Sequence, residues 1–353
     1  MNRSRWLAWC LVSGLSVAAL ACGRNEPPEA GSPQETGAQE APPPPPGDWV
    51  SLVGEYATGT DTLSILENQQ ALFVYFWNGD TQALESVTDS SFALPESGDT
   101  LTVRWEDSGG TRERVRGLAL GNRTYDRLSL GGEEGSTFTI TPIRPPDELR
   151  TEALAAVPPE EEGDFLPSDL VELVALDSTI HLDVRYASTN NFMGEVFYSS
   201  PRAFLQRPAA EATVRAHQWL KERGYGLLIH DGYRPWYVTK MFWDATPENL
   251  KDFVADPASG SRHNRGCAVD LTLYDLETGE VVTMVAGFDE MSPRSHADYP
   301  GGTARQRWHR KLLRDAMEAQ GFSIFPGEWW HFDYQDWRRY RIANEVFEEV
   351  GAS

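Results

Sequence analysis

The chain has 353 residues, enough for two domains, and its 40% hydrophobic content can supply a core to each. A formal net charge of -22 argues against nucleic acid and anionic surfaces as electrostatic partners. It does not bear on the fold, because an acidic solvated surface accounts for it.

In chain order, Arg3 and Arg5 precede an apolar run from Leu7 to Leu20 that is too short to span a bilayer comfortably, so residues 1–21 read as an export signal. The run ends Ala19-Leu20-Ala21-Cys22, which resembles the lipobox of bacterial lipoproteins. That resemblance implies cleavage before Cys22 and acylation of its thiol, with a plain secretory peptide cut nearby as the alternative. Gly23 stands where an inner-membrane retention aspartate is common, so an outer-membrane anchor facing the periplasm is expected. Cys10 leaves with the signal and Cys267 remains alone, which excludes an internal disulfide; Cys267 lies in an apolar run and reads as a small buried hydrophobe. Residues 22–47 form a tether in which Pro42 to Pro46 favours an extended chain.

Residues 48–144 have a β pattern. Ala71-Leu-Phe-Val-Tyr-Phe-Trp77, Leu101-Thr-Val-Arg-Trp105 and Ser136-Thr-Phe-Thr-Ile140 are short and rich in β-branched and aromatic residues. Asn78-Gly79, Ser108-Gly-Gly110 and Gly131-Gly132 supply turns. The expectation is a small antiparallel barrel or sandwich, acting as a spacer, a wall-binding module or a cap over the second domain. All seven His fall after position 180, so this region offers no imidazole chemistry. Residues 145–168 read as a second linker, with Pro145-Pro146, Pro158-Pro159 and Glu160-Glu-Glu162.

From 169 to 353 the pattern mixes helices and strands. Helical spacing runs from Ala203 to Gly224, and Gly226-Leu-Leu-Ile-His230 reads as a buried strand delivering Asp231-Gly-Tyr-Arg234. Thr303 to Gly321 is a second amphipathic helix, and Asp336 to Val350 is a candidate for the last. Long connections between these elements favour α+β over a doubly wound sheet.

Two segments carry chemistry: Ser261-Arg-His263-Asn-Arg-Gly266-Cys-Ala268-Val-Asp270 and Glu328-Trp-Trp-His331-Phe. His263, Asp270 and His331 make a three-ligand zinc set with a fourth position open, as hydrolysis requires, and Gly266 allows a sharp turn between the first two. A carboxylate at Asp270, in a strand otherwise built for a core, needs compensation that a cation would supply. Glu328 lies three residues before His331 and can serve as general base without ligating. Arg234 is a candidate for stabilising an oxyanion, with a surface salt bridge to Asp231 or Asp244 as the plainer reading. His230 reads as structural, and His296 as loop-shaping or supporting the site from behind.

Those motifs, together with Phe288-Asp289-Glu-Met291 and Arg294-Ser-His296, resemble the dipeptidase branch of the zinc D-alanyl-D-alanine peptidases over about Leu173 to Tyr340. The resemblance implies an α+β hedgehog/DD-peptidase-like catalytic domain behind the small antiparallel β domain. It implies one Zn²⁺ on His263, Asp270 and His331, with Glu328 as base and Arg234 as transition-state stabiliser. It also assigns Asp289 and Tyr186 to the substrate's free amino group and Ser261 to bound substrate. By position alone, Asp289 reads as an ordinary turn residue. The implied activity is hydrolysis of D-Ala-D-Ala to D-alanine, and the export signal places it in the envelope, in peptidoglycan turnover. Alternatives are a D,D- or L,D-carboxypeptidase acting on stem peptides and a non-catalytic zinc-containing wall-binding lipoprotein.

Overall fold

The computed structural model describes residues 40–59, 61–108, 111–131 and 137–350. The export signal, Cys22 and most of the tether lie outside the described residues, as do Gly109, Gly110, Gly132 and Ser136 of the expected turns and strands.

A single helical turn, α1 (Gly47–Val50), leads into eight strands: β1 (Gly54–Thr58), β2 (Asp61–Asn68), β3 (Ala71–Phe76), β4 (Thr81–Thr88), β5 (Ser91–Leu94), β6 (Asp99–Ser108), β7 (Thr111–Leu120) and β8 (Arg123–Arg127). Each pairs antiparallel with the next, and β8 returns to β1 through Tyr56 opposite Arg127, closing a barrel with no free edge. The period-2 pattern explains the closure. Leu63 and Ile65, Leu72 and Val74, and Leu101 and Val103 alternate inward and share one core with Tyr56, Leu118 and Tyr125. Gly79, with φ of +105°, makes the β3–β4 turn at a backbone angle that other residues rarely adopt.

The expected strand at 136–140 is not part of the barrel. The Ile140 amide bonds the Phe192 carbonyl, and Phe138 and Ile140 pack on the second core. The expected linker also needs correction, since it contains helix α2 (Pro146–Ala155). Pro146 occupies the first helical position, where a missing N–H costs nothing, and Asp147 and Glu148 complement the helix N-terminus. Leu149 and Ala153, one turn apart, are fully buried in the second core. The prolines that read as a break are a helix start.

The second core is built from β9 (Leu170–Glu172), α3 (Leu173–Leu176), β10 (His181–Leu182), β11 (Phe204–Gln206), α4 (Arg207–Lys221), β12 (Tyr225–Asp231), α5 (Trp236–Ala245), β13 (Ala268–Asp275), α6 (Ala304–Glu318), β14 (Phe322–Ile324) and β15 (His331–Tyr334). The main sheet runs β10-β12-β13-β15-β14, parallel only between β10 and β12, while β9 and β11 form a separate pair. Helices α4 and α6 pack on each other and on this sheet, and α2 packs on α5. The result is mixed α and β content behind an antiparallel barrel.

Helix boundaries differ from the periodicity in instructive ways. Phe204–Gln206 pairs with β9, so α4 begins only at Arg207. Thr303 caps α6 in a reciprocal box with Gln306. The expected helix over Asp336–Val350 is absent, apart from one 3-10 turn at Trp337–Arg339. Its amides are used elsewhere: Ile342 donates to Glu161 and Ala343 to the Asn264 carbonyl, while Phe347 is buried in the core.

Barrel and second core meet through buried carboxylates. Glu67 on β2 accepts from the Ala304 amide at the start of α6 at 2.8 Å, its own amide donates to the Gly302 carbonyl, and Arg307 donates to its carbonyl. Glu55 on β1 accepts from the Tyr299 hydroxyl.

Within the second core, His217 on α4 is fully buried, accepts from the Leu227 amide at Nδ1 (3.0 Å) and reaches Thr179 Oγ1 at 2.9 Å with Nε2. Burial lowers its pKa to about 4. The unfolded chain, with an ordinary imidazole near ~6.5, therefore binds the extra proton first as pH falls. Stability is predicted to drop between about pH 6.5 and pH 4. Thermal unfolding of His217→Gln should show a lower Tm at neutral pH but a shallower acid loss than the parent. Equal slopes would show that His217 does not set the acid sensitivity.

Candidate active site

Sheet register assembles the site. Strands β12 and β13 pair with an irregularity between Ile229 and Asp231 that sets Asp231 opposite Asp270, and β13 sets Asp270 opposite His331 on β15. Three neighbouring strands thus present Asp231, Asp270 and His331 in a row. His263 enters from a 3-10 turn, His263–Arg265, closed by Gly266 at φ +64°. At this φ a side chain is strained, and a Cβ would also sit 2.5 Å from a Leu170 methyl and 3.3 Å from the Gln206 amide nitrogen, so glycine suits the turn.

Nε2 of His263 lies 3.1 Å from Nδ1 of His331 and 3.3 Å from Oδ1 of Asp270, and Nδ1 of His331 lies 3.0 Å from that same oxygen. Tetrahedral zinc with bonds of about 2.0–2.1 Å sets its ligand atoms roughly 3.3 Å apart, so this trio fits the ion. The other ring nitrogens are held from behind. Nδ1 of His263 donates to the Gly232 carbonyl at 2.7 Å, and Nε2 of His331 donates to Asp333 at 2.9 Å. These bonds fix which nitrogen of each ring faces the shared point. Among the described residues, His263, Asp270 and His331 are the group able to hold a metal in this way.

The electrostatics favour a cation there. Burial would raise the Asp270 carboxyl, but His263 and His331 outweigh it and hold it well below the usual range. Burial would lower the His331 imidazole, yet Asp270 and Asp333 raise it well above its ordinary value. Glu328 stands apart from the trio, its Oε2 3.7 Å from Nδ1 of His331, and burial pushes its carboxyl up to about 7.

The rest of the cleft holds the other expected residues. Arg234 is buried, its Nε and Nη2 each 2.8 Å from Oδ2 of Asp231 and its Nη2 3.6 Å from Asp270. The salt bridge to Asp231 exists, but inside the protein, and it aims the guanidinium along the cleft wall. The rings of Tyr186 and Phe242 lie 5.1 and 4.9 Å from its centre. Tyr186 donates to both oxygens of Asp289, at 3.0 and 2.9 Å. Asp289 has a φ of +60°, a left-handed turn conformation that Asp adopts more readily than most residues, and its carboxylate is held by the Tyr186 hydroxyl. Burial, then the charge of Asp270, raises its carboxyl well above the usual range. Ser261 lines the same cleft and accepts from the His263 amide at 3.2 Å. The cleft, about 130 Å³, is below the usual drug-sized range and suits a very small ligand. None of the described barrel residues lines it.

Cys267 is fully buried, with its thiol pushed up to about 12, as a small hydrophobe should be. His230 packs on Phe288 and its Nδ1 lies 3.3 Å from the Asp183 carbonyl. His296 is exposed, its amide donates to the Pro293 carbonyl, and its own carbonyl accepts from the Tyr299 amide and from Arg310. Sequence reasoning missed Asp333, although His331-x-Asp333 on a strand puts both side chains on one face. It also missed the wall formed by residues 252–255, for which no motif existed.

Asp333→Asn is predicted to weaken zinc affinity by about 10–100-fold while leaving one site per chain. Direct zinc titration checks this, and unchanged affinity would show that Asp333 does not orient His331.

Comparison with known proteins agrees with this geometry. Residues 167–349 match the peptidase family described as D-Ala-D-Ala dipeptidase. The D-alanyl-D-alanine dipeptidase of Escherichia coli (strain K12) is 35% identical over 180 residues, covering 51% of this chain and 92% of that protein. The enzyme of that name from Enterococcus faecium is 37% identical over 185 residues (46% and 90%), and that from Streptomyces coelicolor 35% over 192 (49% and 93%). With more than half its length and every cleft residue inside the family match, this chain belongs to the D-Ala-D-Ala dipeptidase family of metallopeptidases.

Proposed function

We propose that this protein hydrolyses the D-Ala-D-Ala dipeptide to D-alanine with one zinc ion, in the cell envelope. The observation that carries the reading is that one small cleft holds the His263, Asp270 and His331 trio, a carboxylate near pH 7 at Glu328, and the Tyr186–Asp289 pair. Zinc held by His263, Asp270 and His331 would supply Lewis-acid polarisation and lower the pKa of water.

The chain's own groups then divide the work. Glu328 takes a proton from the attacking water as the new C–O bond forms, and returns it to the leaving amine as the C–N bond breaks. Arg234, fixed by Asp231, offers N–H groups to the negative charge that develops on the carbonyl oxygen. Asp289, oriented by Tyr186, pairs with the substrate's ammonium, whose positive charge supplies what this buried carboxylate otherwise lacks. Ser261 lies within reach of bound substrate. A long peptide has no amine at that position, so the pair selects dipeptides.

The Leu20-Ala21-Cys22 segment supports an envelope location, where the substrate would be wall-derived dipeptide and the product recovered D-alanine. Among the described residues no helix is long and apolar enough to cross a membrane, and the proposed attachment is lipid on Cys22. Mass spectrometry of the mature protein is then predicted to find an N-terminal Cys22 carrying lipid. A mature N-terminus elsewhere, or an unmodified Cys22, would count against the anchor.

For the activity, D-Ala-D-Ala should be cleaved and its N-acetylated form should not. Cleavage of both, or only of a stem pentapeptide, would move the answer to a carboxypeptidase. Glu328→Ala should keep its zinc and lose at least ~10²-fold in kcat. If that variant loses the metal instead, Glu328 is a ligand and not the base.

A further inference from the structure

We propose that Glu55, on strand β1 of the barrel, is a positioning residue for the loop that carries Asp289. This rests on reading Asp289 as the contact for the substrate's ammonium. Tyr56 points into the barrel and shares its core, so its neighbour Glu55 points outward, and it is 3% exposed because the second core covers it. There it accepts from Tyr299 and lies 3.5 Å from Nη1 of Arg294.

Arg294 links this contact to the loop. Its Nε is 3.2 Å from Glu290, and its Nη2 donates to the Val285 carbonyl at 2.8 Å. Glu290 is fully buried, accepts from the Ser292 hydroxyl at 2.5 Å and from the Gly287 amide at 3.2 Å, and its carbonyl accepts from Ser295. Gly287 and Glu290 bracket Asp289, whose φ of +60° needs support from its surroundings. One guanidinium is therefore held between a carboxylate of the barrel and a carboxylate adjacent to the substrate residue. No described barrel residue lines the cleft, so among the described residues this chain of contacts is a route from the barrel to the substrate residue.

The second barrel carboxylate at the interface is an internal control. Glu67 bonds the start of α6 and Gln70 and makes no contact with the 287–294 loop in these bonds. Truncating Glu55 should loosen the loop, whereas neutralising Glu67 should loosen only the junction at α6.

The test uses the full zinc-loaded chain and two readouts. In Glu55→Ala, amide hydrogen exchange across residues 287–295 should accelerate by about tenfold or more relative to the parent. KM for D-Ala-D-Ala should rise by about tenfold with kcat within about threefold, the pattern of lost substrate binding. Glu55→Gln, which retains the shape and the acceptor for Tyr299, should shift both readouts less, and it carries the test if the alanine variant does not fold. Glu67→Gln should leave both readouts at 287–295 unchanged. Unchanged exchange in the Glu55 variants would overturn the proposal, and so would an equal acceleration in Glu67→Gln. If the parent itself fails to cleave the dipeptide, the dipeptidase reading falls, while the exchange comparison still decides whether Glu55 holds the loop.

Discussion

Asp270 stands in a strand whose neighbours Val269 and Leu271 are fully buried core, and its own carboxylate is 2% exposed. An isolated charge there costs several kcal/mol, so the surroundings must supply positive charge and hydrogen bonds. Much of the second core can be understood as meeting that need. Strand pairing brings His331 across from Asp270, the glycine turn brings His263 over it, and Arg234 approaches from the end of β12. A divalent ion at the shared point would complete the compensation, and the same three groups would then become a catalytic centre. The requirement for stability and the requirement for chemistry coincide at one residue.

The barrel belongs to this arrangement more closely than a spacer would. Its interior is a self-sufficient apolar core, yet two of its carboxylates, Glu55 and Glu67, are buried in contact with the 294–307 region of the second core. Each has specific partners, and a shifted docking would leave it unpaired in low dielectric. No described barrel residue lines the cleft, and Glu55 meets Arg294, which in turn contacts Glu290 beside Asp289.

The site was more legible in the sequence than the fold around it. His263, Asp270, Glu328 and His331 carry their chemistry in residue type and spacing, and Gly266 announces the turn that lets them converge. Asp289 and Tyr186 were legible only by resemblance, since a Gly-Phe-Asp-Glu segment is an ordinary turn until its φ and its tyrosine partner are known. Asp333 was overlooked because its role depends on which nitrogen of His331 faces the metal position. The barrel followed from alternation and turn residues. Two segments depart from their local signals because distant contacts overrule them. Pro145-Pro146 looked like a break but starts a helix whose Leu149 is buried, and the C-terminal segment looked helical but gives its amides to Glu161 and Asn264.

The most direct test of a zinc dipeptidase built on Asp270 is D-alanine release from D-Ala-D-Ala by the full chain, measured as purified, after chelation, and after zinc is restored. Release should stop with the chelator and return with about one zinc per chain. Release that persists after the metal is removed would contradict the zinc mechanism. So would a chain that binds one zinc at this site and leaves the dipeptide intact.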